Sequence, residues 1–465
     1  MTSHAQSGVS ETPRRARDLF GHPPGLTALF ATELWERFSY YGNTALVVLY
    51  MVKYLLEPGR VEAVIGFAAV KAALEFLFGR LELQPLASHI FGFYTGLAYF
   101  MPILGGLLAD RVLGQRLTVV IGAVLMAAGH FLMAFEALFL VALLLLILGI
   151  GAFKPNISTQ VGALYAPDDN RRDRAYSIFY VGINIGAFLA PLVCGALAAS
   201  LGWHYGFAAA GVGMLISLGI YVYSWRLLPA DEAPRATDVR VDKTPLTRDE
   251  RRATAALIGV CVLVTFFWSA YDQQGNTLML WAEDFTDRSI DLYFWKGEIP
   301  AAWFLALNPL MIFLLTPLLV RIWARQAARG TEPFTINKMT FACVCVAIAY
   351  LIMAAAAWIA GGGKASPLWL VGYFAVVTLG ELHLSPIGLS LMSKSAPARI
   401  RSMMMGLWFA TTFPADILAG YLGGFWSSMA KANFFLMIAA VAALGGVLIG
   451  ASSRALRSML EPRRP

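Results

Sequence analysis

Twelve apolar runs, each long enough to cross a bilayer as a helix of roughly 20 residues, fix what this chain can fold into. They fall near 27–55, 86–109, 116–135, 137–164, 174–200, 204–228, 252–281, 300–326, 335–360, 366–395, 400–428 and 431–453. Inside lipid no water satisfies a bare peptide group, so such runs must close their hydrogen bonds within themselves as helices. With 58% hydrophobic and 14% charged residues and a mean hydropathy of +0.63, a soluble globule is excluded. The fold class is an all-α polytopic membrane protein. The net charge of +7 does not indicate nucleic acid as a partner, because the bases sit in short clusters between apolar runs and not along one surface. The lipid bilayer is the partner that the pattern requires.

The longest polar segment outside the ends is 229–251, rich in charge and proline, and it divides the runs six plus six. The expected organisation is a tail over 1–25, a six-helix bundle over 26–228, a linker over 229–251, a second bundle over 252–453 and a tail over 454–465. Lys and Arg in short loops favour the cytoplasmic side. If the amino terminus is inside, the inner segments hold Arg14, Arg15, Arg17, Arg111, Arg116, Arg171, Arg172, Arg174, most of the linker's bases, Lys394, Arg399, Arg401, Arg463 and Arg464. Few bases are left outside, among them Lys53, Lys71, Arg288 and Lys296. Both termini are therefore expected in the cytoplasm, with the chain multi-pass in the cell (inner) membrane. The segment 57–85 is apolar but carries Glu62, Lys71, Glu75 and Arg80. A thirteenth span there would invert every later loop, so it reads as an amphipathic helix at the outer interface. Cys194, Cys261, Cys343 and Cys345 all lie within apolar runs and read as packing residues, neither disulfides nor metal ligands.

A charge near the bilayer centre persists only where it faces a cavity or a partner. Seven such groups lie within the runs: Glu33, Glu36, Arg37, Lys154, Asp272, Glu381 and Asp416. Glu33, Glu36, Arg37, Tyr40, Tyr41 and Thr44 share one helical face. At 1.5 Å per residue, Glu36, Arg37 and Lys154 all lie roughly 14 Å deep. Asn184, Asn308, Glu381 and Trp408 fall at about 12 to 23 Å from one membrane face, so polar groups from both halves meet near the midplane, where transporter sites lie. The acids outnumber the bases, which makes the surplus candidate proton carriers. Lys154-Pro155, Asn308-Pro309 and Ser385-Pro386 place helix breakers at this level and suggest moving gates. No nucleophile, metal cluster or nucleotide loop accompanies these charges, so an enzyme is not expected, and no cofactor beyond the proton is.

The stretch ELWERFSYYG (Glu33 to Gly42) resembles the ExxERFxYYG motif of the proton-dependent oligopeptide transporter family, within the major facilitator superfamily. GGLLADRVLG (Gly105 to Gly114), GIGAFKPN (Gly149 to Asn156) and YSIFYVGINIGAF (Tyr176 to Phe188) are similar to its first-half signatures. FWSAYDQQGN (Phe267 to Asn276), NPL (Asn308 to Leu310), ELHLSPIG (Glu381 to Gly388) and MGLWF (Met405 to Phe409) resemble those of its second half. The resemblance implies a major facilitator fold of twelve helices in two bundles, working as a monomer that imports di- and tripeptides with protons. By that likeness Glu33, Glu36, Arg37, Lys154 and Asp272 couple protons. Asn184 and Asn308 hold the peptide backbone, Lys154 its carboxylate and Glu381 its amino terminus, while Tyr40, Tyr41, Tyr99 and Trp408 shape side-chain pockets. Asp110 and Arg111 form a latch of the inward-closed state.

Two positions depart from the family pattern. Peptide-carrying members usually have a second arginine two residues after the motif's glycine, where this chain has Thr44, and Asp272 loses the partner that the family would give it. The helix 2 histidine of animal members is matched by Gly92, with His89 almost one turn earlier. A symporter of nitrate or another small anion, and a non-transporting nutrient receptor, are the rival readings. Asp416 matches no family motif.

Overall fold

The computed structural model describes residues 21–166, 169, 171–231, 246–292, 295–397 and 400–460. Arg14, Arg15, Arg17, Arg399, Arg463, Arg464 and the middle of the expected linker lie outside the described residues. The first half consists of α1 (Pro24–Tyr50), α2 (Phe67–Phe78), α3 (Leu83–Leu108), α4 (Gln115–Leu132), α5 (Phe139–Ala163), α6 (Arg171–Leu201) and α7 (Trp203–Tyr223). The second holds α8 (Arg248–Tyr271), α9 (Thr277–Asp284), α10 (Leu307–Ala328), α11 (Thr335–Ala360), α12 (Leu368–Ser395), α13 (Arg401–Ala410), α14 (Thr412–Gly423) and α15 (Lys431–Leu460). Between α9 and α10 stand two short strands, β1 (Ser289–Leu292) and β2 (Trp295–Glu298).

Among the described residues, ten helical segments are long and apolar enough to cross a membrane. Two further crossings fall outside that set for identifiable reasons. Helix α1 carries Glu33, Glu36 and Arg37, and the α13–α14 crossing is interrupted at Thr411; ten and two make the twelve expected from the apolar runs. The helix in segment 57–85 is the short α2, with only Leu74 buried. It does not cross.

The structure refines several expected boundaries. The run at 252–281 is one crossing built from two helices, α8 and α9, with a tight turn over Asp272–Gly275 between them. The Gln273 amide donates to the Ala419 carbonyl of α14 at 2.7 Å, which holds the break against its neighbour. Helix α8 begins at Arg248, inside the expected linker, because Thr247 and Glu250 close a reciprocal capping box. Pro155 and Pro386 sit inside continuous helices, whereas Pro309 lies in the first turn of α10, just after the 3-10 turn Ala301–Ala306 that leads into it. The hairpin was not anticipated from the sequence: β1 and β2 pair antiparallel, Ser289 opposite Glu298. Arg288 braces it, bonding Glu283 at 2.8 Å, Glu298 at 3.3 Å and the Ile299 carbonyl at 2.9 Å.

The halves meet at the end of the bundle away from the termini. Lys53 pairs with Asp284 at 2.5 Å; Gln84 donates to the Gly423 carbonyl at 3.0 Å and accepts from the Ser427 amide at 3.1 Å; Ser88 donates to Asn276 at 2.9 Å. Phe100 and Phe413, centroids 5.2 Å apart, close this seam at mid-depth. Farther along, toward the termini, Ile103, Leu104, Leu107 and Leu108 on α3 and Met403 on α13 are exposed. Close approach of α3 to α14 is what Gly92 permits: a Cβ there would stand 2.5 Å from the Asp416 carbonyl oxygen. A histidine at this place would drive the two helices apart.

Candidate functional site

Helix α1 supplies the charged centre. Its polar residues recur at helical spacing on one face, and that face is buried: Glu33, Glu36 and Arg37 are each 3% exposed or less. The Arg37 guanidinium grips Glu36 with two parallel contacts, Nε to Oε2 and Nη2 to Oε1, the latter at 2.6 Å. Its Nε also lies 3.2 Å from Glu33 Oε1, while Glu33 Oε2 is buried with no donor. One acid is locked and the other loosely held. Arg37 stands 5.0 Å from the Tyr40 ring centroid, and Tyr40 packs edge-on against Tyr41 at 5.2 Å.

Lys154 enters from α5. Its ammonium lies 4.1 Å over the Tyr99 ring of α3, within electrostatic reach of Glu33, Glu36, Arg37 and Asp416. It has no hydrogen bond or ion pair among the described residues. The sequence placed it at the depth of the α1 acids, but the structure gives both acids to Arg37 and leaves Lys154 on an aromatic face. Such a cation is available to an anion from outside the protein.

The second half supplies an anionic pole. Asn308 Nδ2 lies 2.8 Å from Glu381 Oε2, 3.0 Å from Thr378 Oγ1 and 3.2 Å from the Tyr271 hydroxyl. An amide nitrogen has only two hydrogens, so one of the three oxygens is always left over. Tyr271 also meets Glu381 directly. Tyr271 and Thr378 were missed from sequence, although Tyr271 immediately precedes Asp272 within the quoted motif. Tyr41 lies within electrostatic reach of Arg37 and Glu381, and of Glu36 and Glu33.

Other expected residues behave differently. Asn184 turns its amide onto the Tyr180 carbonyl of its own helix at 2.9 Å, and the Tyr180 hydroxyl lies within electrostatic reach of Glu381 and Tyr41. Trp408 is buried against α12, where a Cβ on Gly388 would fall 2.0 Å from its ring. Asp110 and Arg111 are both exposed, with no ion pair or hydrogen bond among the described residues. The Thr44 hydroxyl donates to the Tyr40 carbonyl at 2.9 Å, and its methyl lies beside the helix break at Gly275. Asp272 lies beside a second acid, Asp416 of α14, which packs close to Gly92 and Gly96 of α3.

The sequence profile of the POT family matches residues 116–243 and 233–444. The chain is 34% identical to the peptide transporter YePEPT of Yersinia enterocolitica, over 88% of this chain and 89% of that one. It is 32% identical to a di-/tripeptide transporter of Lactococcus lactis, over 93% of this chain and 95% of its relative. A crystal structure of a POT peptide transporter in complex with alafosfalin superposes with a TM-score of 0.83 at 31% identity, covering 96% of this chain and 97% of that one.

Proposed function

Since the chain belongs to the POT family and is a transporter, not an enzyme, we propose that it is a proton-coupled symporter importing di- and tripeptides by alternating access. One observation carries the reading: Lys154, without an ion pair among the described residues, rests on Tyr99, while Glu381, held by Asn308, lies within electrostatic reach of Tyr41, the neighbour of Tyr99. A zwitterionic peptide needs those two poles with amide-matching groups between them. Relatives named as peptide transporters support the substrate class. Nitrate would use the cation and leave the anionic pole without a role, which favours peptide over small anion.

The Lys and Arg bias supports cytoplasmic termini in the cell membrane. With that orientation, the contacts at Lys53–Asp284 and Gln84–Gly423 close the outer side, and Asp110 and Arg111 lie unlatched on the inner side. Protonation of Glu33, whose Oε2 has no donor, loosens its hold on Arg37 as a peptide carboxylate approaches Lys154. Loss of that proton toward the cytoplasm restores the ion pair and expels the peptide. Both poles come from one chain, so a monomer is sufficient. A potential of 100 mV contributes about 2.3 kcal/mol per charge moved, nearly fiftyfold in accumulation.

The test is uptake of labelled dialanine into proteoliposomes with and without an inward proton gradient, competed by dipeptides or by nitrate. Gradient-stimulated uptake that dipeptides suppress is expected; gradient-independent uptake, or suppression by nitrate alone, would sink the proposal. Within the same assay, Asn308→Ala should raise the KM for dialanine about tenfold or more, because a hydrogen bond to a charged group contributes roughly 1.5–3 kcal/mol. Asn308→Asp should be worse, since it sets a second anion beside Glu381. A KM unchanged in both variants would remove Asn308 from the binding site.

A further inference from the structure

Asp272 and Asp416 are two acids for which the α1 charge cluster has no use. Asp272 ends α8 at the helix break, and Asp416 lies one turn past the break between α13 and α14. Their carboxyls face each other where α14 packs on the end of α8. Carboxylate oxygens only accept, so a contact between two carboxyls is a hydrogen bond only if one carries a proton. Asp416 is 3% exposed, and its Oδ2 is buried with no donor from any other group. Two adjacent carboxylates in a dry site do not both ionise at low cost.

Among the described residues no compensating cation is in contact with the pair. Thr44 occupies the place where an arginine would face Asp272, and its hydroxyl is spent on the Tyr40 carbonyl. Lys154 reaches Asp416 only through space, its ammonium being held over Tyr99. Glu381 of α12 adds a further negative field on Asp272. The other titratable neighbours are phenols: Tyr40 on α1 and Tyr99 on α3, with Tyr350 on α11 and Tyr373 on α12 facing Asp272. None of them neutralises a second negative charge.

We propose that Asp272 and Asp416 hold one proton between them and form a proton-carrying site separate from the Glu33–Glu36–Arg37 cluster, in place of an acid–arginine pair. The site sits in the seam that closes the end away from the termini, since Asp416 packs close to Gly92 and Gly96 of α3. With its proton the pair carries a single negative charge and bridges α8 and α14. Without it two carboxylates repel across the same contact, and the α3–α14 seam is loaded toward opening. This role in coupling rests on the symport reading; the shared proton does not.

Infrared spectroscopy of the purified transporter in lipid at neutral pH tests it directly. Isotope labelling of aspartate alone should shift a protonated-carboxyl band in the unmodified chain, which separates this proton from any on Glu33, Glu36 or Glu381. Asp272→Asn and Asp416→Asn should each abolish that band, and the double substitution should remove nothing further, because a shared proton belongs to both residues. A wild-type spectrum without an aspartate-labelled band overturns the proposal, as does a band that survives Asp416→Asn. The wild-type measurement stands even where a variant fails to fold. If the band behaves as stated while dialanine uptake ignores the proton gradient, the symport reading fails and the shared proton remains.

Discussion

Replacing Arg37 with leucine should reduce gradient-driven dialanine uptake to background and destabilise the protein in lipid by about 3–5 kcal/mol, the usual cost of breaking a buried ion pair from one side. The magnitude follows from what is left behind. Glu36 loses both of its guanidinium contacts and Glu33 loses its contact with Arg37, and both acids are shut away from water. Arg37→Lys keeps the charge but not the fork, so one point contact replaces the parallel pair on Glu36. It should recover part of the stability and little of the uptake. The decisive variant is the triple one, Arg37→Leu with Glu33→Gln and Glu36→Gln. Removing the uncompensated acids should restore most of the melting midpoint while uptake stays at background. Equal midpoints for the single and triple variants would show that Arg37 stabilises through packing, and the ion-pair account of α1 would fall.

The same cluster shows where sequence reasoning stops. Helix number was legible because each crossing needs a long apolar run, and such runs are visible without any tertiary information. The level of Lys154 was legible from rise per residue, but its partner was not. Depth along an axis says nothing about rotation around it, and rotation gives both acids to Arg37 while turning Lys154 onto Tyr99. Asn184 illustrates the same point, since its amide is satisfied one turn back on its own helix. Breaks at Asp272–Gly275 and Thr411 depend on contacts with neighbouring helices, such as Gln273 to Ala419, and leave little local signature. Missing Arg at position 44 was readable at once. Its counterpart, an Asp416 that meets Asp272 from another helix, could be found only in space.

Lys154→Ala is expected to produce the opposite profile to Arg37→Leu: uptake lost with the fold nearly intact. No carboxylate depends on Lys154 in this conformation, and its ammonium rests on the Tyr99 face, a contact worth roughly 0.5–2 kcal/mol. The ammonium is instead free to meet a substrate anion. A charge-assisted hydrogen bond to a peptide carboxylate contributes about 1.5–3 kcal/mol, so dialanine affinity should fall roughly 10- to 150-fold. Dialanine amide, which has no carboxylate, should bind wild type and Lys154→Ala with similar affinity. The substitution and the loss of the carboxylate should therefore be strongly non-additive, the signature of two groups in direct contact. Full additivity would place Lys154 away from the peptide carboxylate, and the cation would then have to be assigned to the proton cycle alone. Lys154→Arg separates charge from shape. A guanidinium in that place would reach toward the Glu33 oxygen that lacks a donor, and a second fixed cation–acid pair should trap the cluster in its closed-pair form, lowering the turnover rate more than the affinity.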